Sequence, residues 1–426
     1  MMVAGTAAVQ RSPRDFRVYL TGQTLSSVGS GCTAFAFPVL AFRLTGSPLV
    51  LGMTTVLTYL PYALVGLPIG ALVDRLNRRR ILVWSDVGRA GVVALVPLLH
   101  GLHMLSVGLL LAVVAVHATL RIAFEAAQFA VIPQLAPQHQ LQRANGQAQA
   151  SYNAGAILGP SLAGAVTAIT DISVVLLLDA ASFLMSAATI IAIRTDLDGT
   201  REPRRLWASV REGLALVWRT PVLRAATAVA VAVNVLSGPY WAQLVYLAKI
   251  RYHASDAAVG QVFAAASLGV VLAGLAAGRL GRRYSFIVLT ATALIGMGIS
   301  ITVMSLTRSL VVGMAGALAV RAFAVLFAVN TNTLRQQTVP PHMLGRVITV
   351  AMVCAWSAQP IGAAAGSLIV SRTGGLVPVI AVSGLLVAAV GVLLPRTALG
   401  RVNRGDRTPA AGASYGEPER DDRAGE

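Results

Sequence analysis

From Leu49 to Val73 the chain carries no charged residue, and then in seven positions it carries five: Asp74, Arg75, Arg78, Arg79 and Arg80. At Ile81 it turns apolar again, broken early by Asp86 and Arg89. An uncharged run of about 20 residues matches the hydrocarbon thickness of a bilayer. Two such runs joined by a tight basic connection read as neighbouring helices of a polytopic membrane protein, with a short cytoplasmic loop between them. The whole chain agrees: 426 residues, 56% hydrophobic, mean hydropathy +0.71, and 12% charged where a soluble protein carries about 25%.

The pattern returns after 204 residues, roughly half the chain. Gly70 matches Gly274, Arg75 matches Arg279, and Arg78 and Arg79 match Arg282 and Arg283. A second echo pairs Pro137, Leu141 and Arg143 with Pro340, Leu344 and Arg346, and Gly159 and Gly362 follow at the same distance. Internal repetition at this spacing indicates a duplicated membrane fold. The copies differ at one point: Gly278 stands where the first copy has Asp74.

Composition excludes several functions. A net charge of +17 would suggest a nucleic-acid partner in a soluble protein. Here the arginines sit in connections between apolar runs, where the positive-inside rule accounts for them, so no nucleic-acid partner is expected. Lys249 is the only lysine and follows Ala248, so no Gly-Lys-Ser/Thr phosphate loop exists in this sequence. Any pumping must then draw on a gradient or a partner chain. Cys32 and Cys354 are far apart, each in an apolar run, and read as small buried residues, with no metal spacing. No cleavable signal pattern precedes the first run. No cofactor and no metal are expected.

Twelve apolar segments are predicted, at about 16–42, 49–73, 81–99, 104–132, 142–169, 172–193, 222–247, 257–278, 286–306, 310–337, 346–370 and 376–394. The predicted organisation is a cytoplasmic segment over 1–15, a six-helix half over 16–193, a linker over 194–221, a second half over 222–394 and a disordered tail over 395–426. In the linker, Leu206, Val210, Leu214 and Val217 share one face of an amphipathic helix. About 30 residues are too few for a domain. That helix is expected to lie on the anionic cytoplasmic leaflet. Gly155, Gly159 and Gly164 in the fifth segment allow close helix packing. Nearly all loop arginines fall on the side of both termini, which places the termini in the cytoplasm.

Twelve helices, a 6+6 duplication and the run from Gly70 through Asp74, Arg75, Arg78 and Arg79 resemble the major facilitator superfamily and its signature loop between the second and third helices. Asn77 stands where that loop has Gly; Asn also tolerates left-handed backbone. Phe16, Arg17, Gly22, Gln23, Ser26 and Gly29, with Ala144, Asn145, Gly159, Pro160, Asp179 and Phe183, are similar to the macrolide-efflux and enterobactin-exporter branch of drug:proton antiporters. The resemblance implies an all-α membrane protein of two pseudo-symmetric six-helix halves. It also implies export of a small molecule across the inner membrane by proton antiport, as a monomer. The Asp74 motif, and its second copy at Gly274, Arg279, Arg282 and Arg283, would form the cytoplasmic gate.

Ionisable residues inside apolar runs are functional candidates. His117, Arg121 and Glu125 are spaced by four and four on the fourth segment, which places them on one helical face. They read either as a proton-carrying set or as a salt bridge that shapes the cavity. Asp86 and Arg89 read as a local ion pair supporting the gate. Asp179 would take up protons or pack with Ser182, and Arg321 would be a structural or a substrate-side cation. No carboxylate occurs in the second half's segments, so a side-chain proton carrier is Asp86, Glu125, Asp179 or His117. Substrate-cavity candidates are Gln23, Asn234, Tyr240, Trp241, Gln243, Asn330 and Asn332, whose amide and aromatic groups suit hydrogen bonding and stacking. Each reads equally as ordinary helix packing.

The expected activity is secondary export of an amphipathic or hydrophobic molecule such as a drug, antibiotic or siderophore. The alternatives are a metabolite importer and a membrane-embedded enzyme. The enzyme would need a nucleophile or metal cluster at the interface, and the sequence carries none.

Overall fold

In the computed structural model, residues 13–137, 140–197 and 206–401 are described. They form thirteen α-helices, with no strand among the described residues. The first six are α1 (Pro13–Thr45), α2 (Pro48–Arg75), α3 (Arg78–Gly101), α4 (Val107–Leu135), α5 (Leu141–Ile169) and α6 (Ile172–Ala192). The short α7 (Leu206–Arg219) leads to α8 (Pro221–Arg251), α9 (Asp256–Arg283), α10 (Phe286–Leu306), α11 (Leu310–Thr338), α12 (Pro341–Thr373) and α13 (Leu376–Leu393). Eleven of these helices are long and apolar enough to cross a membrane. The twelfth long helix, α5, falls short because Arg143, Asn145, Gln147, Gln149 and Asn153 load its first turns with polar groups.

The helices pair in two matching patterns. In the first half α1 packs on α5 and α6, α3 on α6, and α4 on both α2 and α3. In the second, α8 packs on α12 and α13, α10 on α13, and α11 on both α9 and α10. The two six-helix halves are thus pseudo-symmetric. The start of α1 at Pro13, the end of α13 and α7 share one end of the bundle, called here the termini end; the opposite is the far end.

The helices run past their apolar segments by about a turn: Pro133 lies inside α4, and Pro341 opens α12 at its first position. The connection from α2 to α3 is only Leu76 and Asn77. Asn77 has φ −67°, not a left-handed value, and its side chain accepts from the Arg80 amide at 2.9 Å. It therefore works as a helix N-cap. The matching position in the repeat is Gly281, which has no capping side chain, and there the helix continues to Arg283. The side chains of Asp74 and Arg75 lie outside the described residues.

Close approach of α5 to α1 depends on absent side chains. A Cβ on Gly159 would meet the Val28 carbonyl and the Gly31 backbone, and one on Gly362 would meet the Val235 carbonyl on α8. The duplicated glycine does the same job in both halves. Gly159→Val and Gly362→Val are each expected to cost at least about 1–3 kcal/mol of overpacking. Gly278→Val, which faces open space, should cost little. Thermal unfolding of the purified variants checks this; equal melting temperatures for all three would contradict it.

The linker helix does not lie free. Val217 is buried, and with Leu216 it packs on Met343, Leu344 and Val347 at the start of α12. Glu212 pairs with Arg346. Of the expected apolar face, Leu214 is exposed, and the side chains of Leu206 and Val210 lie outside the described residues. Val217 thus rests on protein, with Leu216 partly buried beside it, while Leu214 and Trp218 stay exposed. The segments at 1–12 and 402–426, including nearly all of the expected tail, lie outside the described residues.

Candidate functional site

Four groups of polar side chains stand out against the apolar helices. At mid-depth, facing the space between the halves, Arg121 Nε donates to Glu125 Oε1 at 2.7 Å, one turn apart on α4. Tyr62 of α2 donates to the other carboxylate oxygen at 2.7 Å, and Arg121 Nη2 donates to the Tyr152 hydroxyl of α5 at 3.0 Å. Both charged side chains remain partly exposed, 30% and 25%. Across the divide, the Tyr62 ring meets Trp356 of α12 edge-on, centroids 5.3 Å apart. The Arg321 guanidinium of α11 lies 4.9 Å from the Trp241 ring of α8. The result is an ion pair and a further cation inside an aromatic collar. Such a surface offers stacking, cation–π and hydrogen-bonding contacts to an amphipathic guest.

His117 is not part of this group. Its ring sits between Phe37 and Phe183, 5.7 and 5.9 Å away, and Nε2 has no described partner. Eight residues along a helix turn a side chain by about 80°. That rotation carries His117 from the face of Glu125 into the interior of the first half.

That interior holds the second group. Asp86 and Arg89 form a buried ion pair, and the guanidinium lies between the rings of Phe124 and Phe183, 4.3 Å from each centroid. Asp179 is fully buried; it accepts from Thr33 of α1 and from Ser182 at 3.1 Å. Gln23 donates to Ser186 at 2.9 Å in the same region.

The third group is at the termini end. Arg79 donates to the carbonyls of Ile193 and Thr195 at 2.6 and 2.7 Å, just past the C-terminus of α6. Asp15 of α1, buried, accepts from the amides of Arg194 and Thr195 and from the Thr195 hydroxyl at 2.6–3.1 Å. Together they tie three helix ends of the first half. In the repeat, Arg279, Arg282 and Arg283 are exposed on the last turns of α9.

The fourth group closes the far end across the halves. Arg43 at the end of α1 pairs with Asp256 at the start of α9, Nε to Oδ2 2.7 Å, and Lys249 of α8 joins the same carboxylate. Arg43 also lies 3.6 Å from Asp171, which caps α6 by accepting the Ser173 amide at 2.8 Å. Hydrogen bonding from Ser173, with Arg43 nearby, holds the Asp171 carboxyl below its usual range, against the opposing effect of burial. Gln243 Nε2 adds a cross-half tie to the Pro48 carbonyl at 2.8 Å and also donates to Ser367 of α12, in its own half, at 2.7 Å. Gly164 and Gly260 bring α5 and α9 into backbone contact.

The cavity candidates differ in burial and in partners. Gln23 is buried in the first half and Gln243 ties the far end. Tyr240 is fully buried. Asn234 bonds its own helix at Ala230, Asn330 bonds Phe286 and Thr290 of α10, and Asn332 accepts from Arg335. Amides inside an apolar bundle are held by whichever backbone or side-chain group lies within reach. Trp241 remains beside the central space with Arg321. Tyr62, Tyr152 and Trp356 escaped the sequence reading, since single aromatics in apolar runs carry no spacing signal. Asp15, Arg43 and Asp256 did carry one: each is a rare charge at a helix end.

Comparison with known proteins follows the same lines. The multidrug efflux pump Tap of Mycolicibacterium fortuitum is 29% identical over 384 residues, covering 87% of this chain and 93% of that protein. Macrolide efflux protein A of Streptococcus pyogenes is 24% identical over 386 residues, covering 89% and 95%. Among solved structures, an inward-facing bacterial homologue of the iron transporter ferroportin superposes with a TM-score of 0.69 at 18% identity, covering 89% of this chain and 98% of that one. The nucleoside transporter NupG superposes with a TM-score of 0.72 at 9% identity, covering 89% and 97%. The sequence profile of the Major Facilitator Superfamily matches residues 19–363. With its paired six-helix halves and a charged, aromatic-collared space between them, the chain is a multi-pass membrane transporter and belongs to the Major Facilitator Superfamily.

Proposed function

We propose that this transporter exports a small amphipathic or hydrophobic molecule from the cytoplasm in exchange for protons. The arginine distribution supports cytoplasmic termini in the inner membrane. In that orientation the far-end clamp of Arg43, Lys249 and Asp256 faces outside, and the described cross-half contacts run from mid-depth outward. Such an arrangement would leave the central space to be loaded from the cytoplasm. Rocking of the halves would then carry a guest from one side to the other.

The observation that carries the reading is the partly exposed Arg121–Glu125 pair, bonded to Tyr62 of the aromatic collar. In this reading the carboxylate is the group that exchanges protons, beside the space that an amphipathic guest would occupy. The names of the relatives, macrolide and multidrug efflux pumps, support export over import. Asp74 is proposed to serve the cytoplasmic gate, with Arg79 anchoring the adjoining helix ends.

The test is uptake into inverted vesicles of a panel containing macrolides and other amphipathic drugs, with and without an imposed pH gradient. The expected result is accumulation of at least one amphipathic compound that collapses with the gradient. Accumulation that is independent of pH, or confined to polar metabolites, would overturn the reading.

A further inference from the structure

The carboxylates of the membrane interior can be assigned one by one. Asp86 is paired with Arg89, Asp179 is fully buried among hydroxyls of the first half, and Glu125 is held by Arg121 and Tyr62. Asp256 belongs to the far-end clamp, and from Ala257 to Gly405 the sequence carries no Asp or Glu. Arg321 is left without a carboxylate partner among the described residues. One turn away along α11 it meets only Ala317, Leu318, Ala324 and Val325, where Arg121 on α4 finds Glu125.

This cation faces the central space. Its side chain is half-buried against Trp241 of α8. Across the divide, Tyr59 of α2 lies within electrostatic reach of Arg321 and also of Arg121, Glu125 and Tyr152. Asp74 is fifteen residues from Tyr59 along α2, about 22 Å at helical rise, too far to neutralise a charge at that depth. The Arg121–Glu125 pair cancels itself, so the space keeps the charge of Arg321. The Trp241 ring steadies the guanidinium but supplies no counter-charge. We propose that Arg321 selects guests by charge: the central space accepts neutral or anionic amphiphiles and refuses organic cations. An apolar guest expels water as it enters, so its own charge meets Arg321 at a low dielectric. An acidic or acceptor group gains a charge-assisted hydrogen bond there. An ammonium group would set two like charges together, which is selection by repulsion. The inference rests on reading the central space as the guest's site, and it does not depend on what energises transport.

Tetraphenylborate and tetraphenylphosphonium share a shape and differ in charge, so they isolate this effect. Equilibrium dialysis of each against the full chain, purified in an uncharged detergent, is the test. The wild type is expected to bind tetraphenylborate at least about tenfold more tightly. Arg321→Lys should keep that preference, Arg321→Gln should bring the two ions near parity, and Arg321→Glu should reverse the order. Arg308→Gln, exposed in the connection from α10 to α11, should leave the preference unchanged. Equal binding of the two ions by the wild type overturns the proposal. So does a preference that persists in both Arg321→Gln and Arg321→Glu, which would trace it to the overall charge of +17. Gradient-driven accumulation of organic cations in inverted vesicles would overturn the charge rule and leave export standing. Ion binding that follows Arg321 without accumulation of any compound would support the charge rule and remove the export reading.

Discussion

Glu125→Gln is expected to reduce pH-gradient-driven accumulation in inverted vesicles to the level of vesicles without a gradient, while substrate binding and gradient-independent exchange persist. The amide keeps the size of the carboxylate and an acceptor for Tyr62 or Arg121, but it cannot gain or lose a proton in the working pH range. Coupling requires a group that binds a proton in one conformation and releases it in the other. Glu125 is placed for this because one of its partners reports on the other half. Tyr62 holds the carboxylate and also touches Trp356 of α12. Movement of the halves that breaks the ring contact frees Tyr62 and changes what Glu125 is bonded to. Full gradient-driven transport by Glu125→Gln would sink the coupling role, and Asp179, buried with only hydroxyl donors described around it, would be tested next.

The second large effect concerns folding. Asp86→Leu is expected to destabilise the protein by about 3–5 kcal/mol, the cost of stranding one member of a buried ion pair. Arg89 is buried with Phe124 and Phe183 on its two sides, and a guanidinium cannot shed its charge. Arg89→Leu should cost less, because a lone Asp86 can take up a proton. Asp86→Leu/Arg89→Leu should recover most of the loss, since no charge remains to be paired. A double-mutant cycle read by thermal unfolding measures the coupling. Additive losses would show that the pair is energetically idle.

Much of the fold was legible because hydrophobic length is a strong constraint. The apolar runs, the half-chain repeat and the Gly159 and Gly362 echoes all mark features that recur in space. Helix ends were less legible. The apolar run of the eleventh segment starts near Arg346, yet α12 begins at Pro341, because a helix continues through polar residues that reach water. The site was only partly legible. The four-residue spacing of Arg121 and Glu125 predicts their contact, but a further four residues rotate His117 out of reach. Amides such as Asn330 and Gln243 were indistinguishable from ligand-binding groups in sequence, because their partners are 40 residues or more away along the chain.

The far-end cluster has a consequence for how the transporter responds to its surroundings. Arg43, Lys249, Asp171 and Asp256 hold the halves together through charge, and Arg43 and Asp171 are open to the medium, with side-chain exposures of 35% and 51%. Mobile ions screen such contacts over about 8 Å at physiological ionic strength and about 3 Å at 1 M salt. Screening would act on Arg43 more than on Asp256 and Lys249, whose side chains are 14% and 15% exposed. In the proposed orientation, raising salt outside should speed release and shorten dwell in the closed state, whereas raising it inside should not. A hydrophobic seal would respond in the opposite sense, tightening with sulfate or phosphate salts. On that reading the closure would respond to external ionic strength, and turnover measured against external sodium chloride, in proteoliposomes of fixed orientation, is expected to display it.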